Sequence, residues 1–354
     1  MRKHPICADC DNTDLSRRQV VRGTVAGIAA ASAGIWSLNV TSRAMAVEAA
    51  TKAAPETLVG QLYKSLTEAQ KTKIAFPFDH PLRSEVNNNW MIVKDSIGDI
   101  LTREQIALVK EIFTDLHTDE YADRVLHQVE HDNDEVGGFD GCSIALFGQP
   151  GDMGADPFNG GKQSKFEFVF TGRHVTRRCD GNSVEGEAFG GPIFYGHAAQ
   201  GFNEKADHPG NIYWYQAKQA NELFQALDGK QRKIALLDTP IPRERASKTV
   251  ALRNSTDGLP GIGVADMSAD QKELVRKTMA DLLAPFRKAD AEQTMKMIEA
   301  AGFDKLHMAF YSHDDIGNDR VWDVWQIEGP SMLWYFRGAP HVHTWVHVRQ
   351  PTKA

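Results

Sequence analysis

Four short stretches set the frame for any fold this chain can adopt. Leu66-Thr67-Glu68-Ala69-Gln70, Leu101-Thr102-Arg103-Glu104-Gln105, Leu227-Asp228-Gly229-Lys230-Gln231 and Met267-Ser268-Ala269-Asp270-Gln271 share one form. Each puts an apolar residue ahead of a Thr, Asp or Ser, with Gln three positions further on. At that spacing the short side chain caps a helix and the Gln reaches back to the N–H of the cap, forming a capping box. Four helices therefore start at fixed points.

Two of these starts open passages of similar order. The first predicts helices over 101–116 and 118–131, then strands over 143–147 and 166–172. The second predicts helices over 267–283 and 289–301, then strands over 306–311 and 321–329. Each passage closes with a further strand at a Gly-Pro or Ala-Pro step, 191–197 in one and 339–343 in the other. Read as an internal repeat, this predicts an α+β fold of two degenerate halves, about 56–210 and 211–354. Each half is a helix pair followed by antiparallel strands, and the two pack into one compact unit. The competing reading is a chance likeness of two ordinary α+β passages. The stretch 238–264, with Pro240, Pro242 and Pro260, reads as a long surface connection.

The N-terminus reads as a targeting segment. Ser16-Arg17-Arg18-Gln19-Val20-Val21 is a twin-arginine pattern, 23–40 is weakly apolar, and Ala44-Met45-Ala46 fits a cleavage site. Residues 1–46 are thus expected to be a signal peptide recognised by the twin-arginine export machinery, and 47–354 the mature domain, periplasmic or extracellular. No later stretch is long and apolar enough to span a bilayer. The formal charge of -7, with no basic run beyond the N-terminus, excludes nucleic acid as a partner. Cys7 and Cys10 lie within the signal, which leaves Cys142 and Cys179 either to pair or to stay as two buried thiols. The twin-arginine route carries folded passengers, many of them already holding a cofactor, and this favours a bound metal.

The stretch best suited to hold that metal is His341-Val342-His343-Thr344-Trp345-Val346-His347. In a strand, alternate side chains share a face, which places His341 and His343 about 7 Å apart on one side. His347 shares the face but lies about 13 Å beyond His343, too far for the same ion. His174, at the end of the strand over 166–172, is the expected third ligand, with His197 as an alternative. Three imidazoles suit Zn, Cu or Fe without choosing between them. Glu328 precedes Gly329-Pro330 in the second half's counterpart of the His174 turn, where it can act as an acid or base, or orient a ligand.

Each of these residues also has a plainer reading. The His and Trp of one strand face can simply pack, or can form an anion pocket without a metal. Glu167, alternating with Phe166, Phe168 and Phe170, fits a solvated strand-edge charge. Arg173, Arg177 and Arg178 crowd His174 and can bind an anionic substrate, or pair with surface acids. His127 and His131 stand at i and i+4 but lack the Glu of a zincin motif, so they read as a solvated helix face. Nucleotide-binding glycine motifs, a serine elbow and an EF-hand spacing are absent.

The ordered set of short motifs resembles one family over nearly the whole mature chain. It comprises Phe76-Pro77-Phe78-Asp79 with Arg83 and Trp90, Phe147-Gly148-Gln149-Pro150, Gly172-Arg173-His174, Pro192-Ile193-Phe194-Tyr195-Gly196, Leu227-Asp228-Gly229-Lys230-Gln231, Glu328-Gly329-Pro330 and His341-Val342-His343. The family is catalogued as "domain of unknown function 3500". It usually has Gly-His-His where this chain has Gly172-Arg173-His174, and an acid in its closing step where this chain has Gln350. The resemblance implies no activity, because the family is named for having none assigned. The expected function is metal binding through His residues at the interface of the halves, serving a hydrolytic or oxidative enzyme. The alternative is a non-catalytic small-ligand-binding module with an aromatic-lined pocket.

Overall fold

All four capping boxes form, and each does more than start a helix. In the computed structural model, which describes residues 54–150, 165–198 and 210–351, Thr67, Thr102, Asp228 and Ser268 accept from the backbone of the Gln three residues on. The N–H of each cap donates to that Gln at 2.8–2.9 Å. The Gln amides then clasp the starts in pairs. Gln70 Nε2 donates to Gln105 Oε1 at 2.8 Å, and Gln231 Nε2 to Gln271 Oε1 at 3.0 Å. Gln105 and Gln271 also donate to the carbonyls of Ser65 and Ala226, each at 2.9 Å. The twin-arginine segment, Cys7, Cys10, the cleavage site and loop residues 151–164 lie outside the described residues.

The chain runs α1 (Pro55–Ser65), α2 (Glu68–Ile74), β1 (Ala75–Phe76), α3 (Ile97–Ile100), α4 (Arg103–Asp115), α5 (Asp119–Asp132), β2 (Ser143–Gly148), β3 (Phe166–Gly172), β4 (Val175–Cys179) and β5 (Ile193–His197). It continues with α6 (Tyr215–Ala226), α7 (Gly229–Ala235), β6 (Leu236–Leu237), β7 (Ile262–Gly263), α8 (Ala269–Leu283), α9 (Lys288–Gly302), β8 (His307–Tyr311), β9 (Val324–Gly329), β10 (Met332–Arg337) and β11 (Val342–Val348). The strands form one eleven-stranded sheet in the order β1-β2-β3-β4-β5-β11-β10-β9-β8-β6, with β7 paired to β8.

The fold is mixed α/β, and the sheet corrects the expectation of purely antiparallel strands. β1 runs parallel to β2, and β6 parallel to β8. It also contains two longer strands that periodicity did not reveal. β10 is buried along five of its six residues, so it carries no apolar/polar alternation. β4 holds Arg177 and Arg178 side by side in sequence, yet they point to opposite faces of the sheet and both are buried.

Helices cover one face. Phe170 packs on Phe113 and Phe139, Phe310 on Phe224, and Tyr195 on Phe286, with ring centroids 4.8–5.7 Å apart. Chain without helices covers much of the other face. Trp90 and Ile92 pack there over Ala145, Phe147 and Val169, and Ile241, Val250 and Leu252 over Tyr311, Leu333, Tyr335 and Trp345. The stretch read as a surface connection is therefore in part a lid of the core. Cys142 and Cys179 are buried free thiols, and burial pushes both well up from the ordinary thiol value, so neither is a ready nucleophile.

Candidate metal centre

His343 lies in β11 opposite Gly196 of β5 and Arg337 of β10. It sits on the sheet face covered by the non-helical chain. His341, two residues earlier, points the same way. His174 arrives from the far side of β5. It occupies the two-residue turn between β3 and β4, with φ at 58°, a left-handed conformation that costs a non-glycine residue roughly 1–2 kcal/mol. The turn is held from outside. The N–H of His174 donates to the Asn88 carbonyl at 2.8 Å, and the N–H of Arg173 to Asn133 Oδ1 at 2.8 Å.

The three rings converge through the same atom. His341 Nε2 lies 2.9 Å from His343 Nε2 and 3.1 Å from His174 Nε2. Three nitrogens held at about 2.0–2.1 Å from one tetrahedral ion stand about 3.3 Å apart, close to this arrangement. His174 and His343 are 0% exposed and His341 5%, and the three residues can hold a metal ion.

The opposite ring nitrogens say where the protons are. His174 Nδ1 lies 2.7 Å from Asp132 Oδ2, and His343 Nδ1 lies 2.8 Å from Glu244 Oε2. A carboxylate accepts, so both Nδ1 atoms donate and both Nε2 atoms present lone pairs. Lone pairs facing one another at this range need a proton or a cation between them. Arg337 Nη2 also lies 2.7 Å from His343 Nδ1. Donation from Arg337 would move the ring proton to Nε2, whereas Glu244 keeps it on Nδ1. The tautomer set by Glu244 matches that of His174.

Burial favours the neutral form of His341 and His343. Burial drives His341 and His343 well below the ordinary imidazole value. Neighbouring His and Arg charges add to this, and Asp132 opposes it. Burial works to raise the Asp132 carboxyl, but the adjacent His174 ring and hydrogen bonds from His131, His174 and Gln128 hold it well below its usual range. Neutral imidazoles with carboxylates behind them are what divalent metal ligands require.

The other expected residues lie elsewhere. His197, buried in β5, accepts from the Tyr213 N–H at 3.3 Å and stacks on the Tyr213 ring, and it is not among the converging atoms. Glu328 pairs with Leu333, which pairs with His347. This register puts it about 16 Å from His343. Its carboxylate accepts from Arg253 Nε at 2.6 Å and Gln326 Nε2 at 2.7 Å. His347 pairs with Glu187 at 2.9 Å. Glu167 is fully buried between Arg178 and Arg83 rather than solvated. Arg177 is engaged inside the fold, donating to His117 Nε2 and the Phe194 carbonyl at 3.1 and 2.7 Å.

Sequence reasoning missed the two carboxylates. His127 and His131 are exposed, as a solvated helix face requires, but Gln128 and Asp132 occupy the buried face of the same helix. Two polar residues at i and i+4 on an apolar face were the available signal. Glu244, flanked by Arg243 and Arg245, offered none. No curated protein and no solved structure matches the chain. The model of the family described as "Protein of unknown function (DUF3500)" matches residues 48–353, and the chain belongs to that family.

Proposed function

We propose that the protein holds one transition-metal ion through Nε2 of His174, His341 and His343, as the centre of a hydrolytic or oxidative enzyme. The observation that carries this reading is the meeting of three lone pairs, two of them fixed by carboxylates on the far side of the ring. Three protein ligands leave a coordination position for water or substrate, where the metal supplies Lewis acidity or redox chemistry. Asp132 and Glu244 orient the rings and raise their basicity. Elemental analysis of protein purified from its own host tests the proposal. About one equivalent of Zn, Cu or Fe per chain is expected; protein that carries none, and takes up none of the three on dialysis, would overturn it.

Two further elements belong to this reading. The first is the two-half organisation, which rests on the paired Gln clasps and on the strand order. β1 to β5 run inward from one edge, and β6 and β8 to β11 from the other, meeting at β5 and β11. The helix-pair junctions also meet reciprocally, Thr118 N–H to the Pro285 carbonyl and Arg287 N–H to the Leu116 carbonyl. On this reading the centre is not duplicated: the turn that carries His174 in one half carries Ser331 in the other. The second element is export. Replacing Arg17 and Arg18 together by Lys should leave the precursor in the cytoplasm, and undiminished export would refute a twin-arginine signal.

A further inference from the structure

We propose that a second pocket, distinct from the histidine centre and built around Glu328, binds a small organic anion with an apolar body. The pocket measures about 440 Å³, within the range of small-molecule sites. Its floor is the sheet. Tyr311, Gln326, Glu328 and Tyr335 line it, each 5% exposed or less. Register places Gln326 beside Tyr335, and Glu328 beside the apolar Leu333. Its rim is the non-helical stretch that follows β6, which contributes Arg243, Lys248 and Arg253.

The floor is a polar chain inside an apolar face. Tyr311 donates to Gln326 Oε1 at 2.9 Å, Gln326 donates to Glu328 Oε2 at 2.7 Å, and Arg253 Nε donates to Glu328 Oε1 at 2.6 Å. Position by position, this departs from the other half of the sheet. Counted back from the glycine that ends each strand, Gln326 stands where β3 has Val169, and Val169 packs with Trp90 and Ile92. At this one position β3 buries hydrocarbon under a closed lid, and β9 buries an amide that lines a cavity. Buried polar groups cost stability unless they are bonded or used; here they are bonded to one another and also form the polar floor of a cavity.

Charge selects the ligand. Both Glu328 oxygens are engaged, one of them by Arg253, whose terminal nitrogens meet no partner among the described residues. Arg243 and Lys248 have no carboxylate partner among the described residues either. Three cations thus face one carboxylate, and a carboxylate or phosphate monoester at the rim balances them with charge-assisted hydrogen bonds. Leu237, Leu333 and the Tyr335 ring leave the body of the ligand in apolar company.

Isothermal titration of the full-length protein with phenyl phosphate, benzoate and neutral benzyl alcohol tests the assignment. Both anions should bind one per chain, and benzyl alcohol at least about tenfold more weakly. Arg243→Gln with Lys248→Gln removes two exposed cations that have no carboxylate partner among the described residues, without touching the core, and should weaken anion binding about tenfold. Variant His341→Ala/His343→Ala should bind them as wild type does, which separates this pocket from the metal centre. Absence of anion binding, equal affinity for benzyl alcohol, an unchanged Arg243/Lys248 variant, or binding lost with the two histidines would each overturn the proposal.

Discussion

His174→Asn is expected to abolish the proposed metal binding, with content falling from about one equivalent to near zero, while His197→Ala is expected to retain the wild-type amount. Asparagine is the informative replacement because it tolerates the left-handed backbone that His174 adopts at φ 58°. The turn between β3 and β4 can then keep its shape while the imidazole is lost. Two nitrogens from His341 and His343 on one strand remain, one fewer than the usual three protein ligands of a catalytic site. Asp132→Asn should give a graded result, about 10- to 100-fold weaker metal affinity, since it weakens the His174 Nδ1 contact of 2.7 Å without removing a ligand. Competition against a chelator of known affinity measures both. If His174→Asn kept its metal while the His341/His343 pair lost it, the turn histidine would be a packing residue, and the ion would sit on β11 alone. The His197 control matters because that ring is equally buried but bonds to the Tyr213 N–H. Its loss tests whether any buried histidine near β5 affects retention.

The site was legible in the chain only as far as local rules reach. His341 and His343 share a face because a strand alternates, and that needs no tertiary knowledge. His174 came from its place after a predicted strand, which the β3–β4 hairpin bears out. The capping boxes at Thr67, Thr102, Asp228 and Ser268 were readable for the same reason, since each is complete within four residues. Asp132 and Glu244 were not, because their meaning depends on which helix face and which part of a long connection the sheet happens to meet. β4 and β10 escaped for a related reason. A strand buried on both faces loses its period of two, and the side chains of Val175–Cys179 look polar until their partners are known. Glu328, expected to assist at the histidine site, lies about 16 Å from His343 by the register of β9, β10 and β11. A strand position identifies a neighbour on the same strand, but not how far apart two strands of the same sheet will lie.

Glu167→Ala should destabilise the protein by about 3–5 kcal/mol, the cost of leaving a buried charge without its partner. Glu167 and Arg178 are both fully enclosed, with Arg178 Nη1 2.5 Å from Glu167 Oε1, and Arg83 Nη1 reaches the other oxygen at 3.0 Å. Arg178 would still donate to the carbonyls of Pro192 and Glu85. What it loses is compensating charge, which no carbonyl supplies. The pair is nevertheless not a net gain. Burial outweighs Arg178 and Arg83 and leaves the Glu167 carboxyl above its ordinary value. A carboxyl raised in the folded state contributes stability that is present below its unfolded value, about 4.3, and lost as pH rises above it. Replacing both partners with hydrocarbon, as in Glu167→Leu with Arg178→Met, should therefore recover most of the loss at neutral pH, even though neither single variant does. Urea unfolding of the two single variants and the double variant measures this. A Glu167→Ala cost below about 1 kcal/mol would mean the pair behaves like a surface salt bridge. A double variant no better than the singles would mean that the carbonyl contacts of Arg178, rather than its charge, hold the segment containing Glu85 against β4.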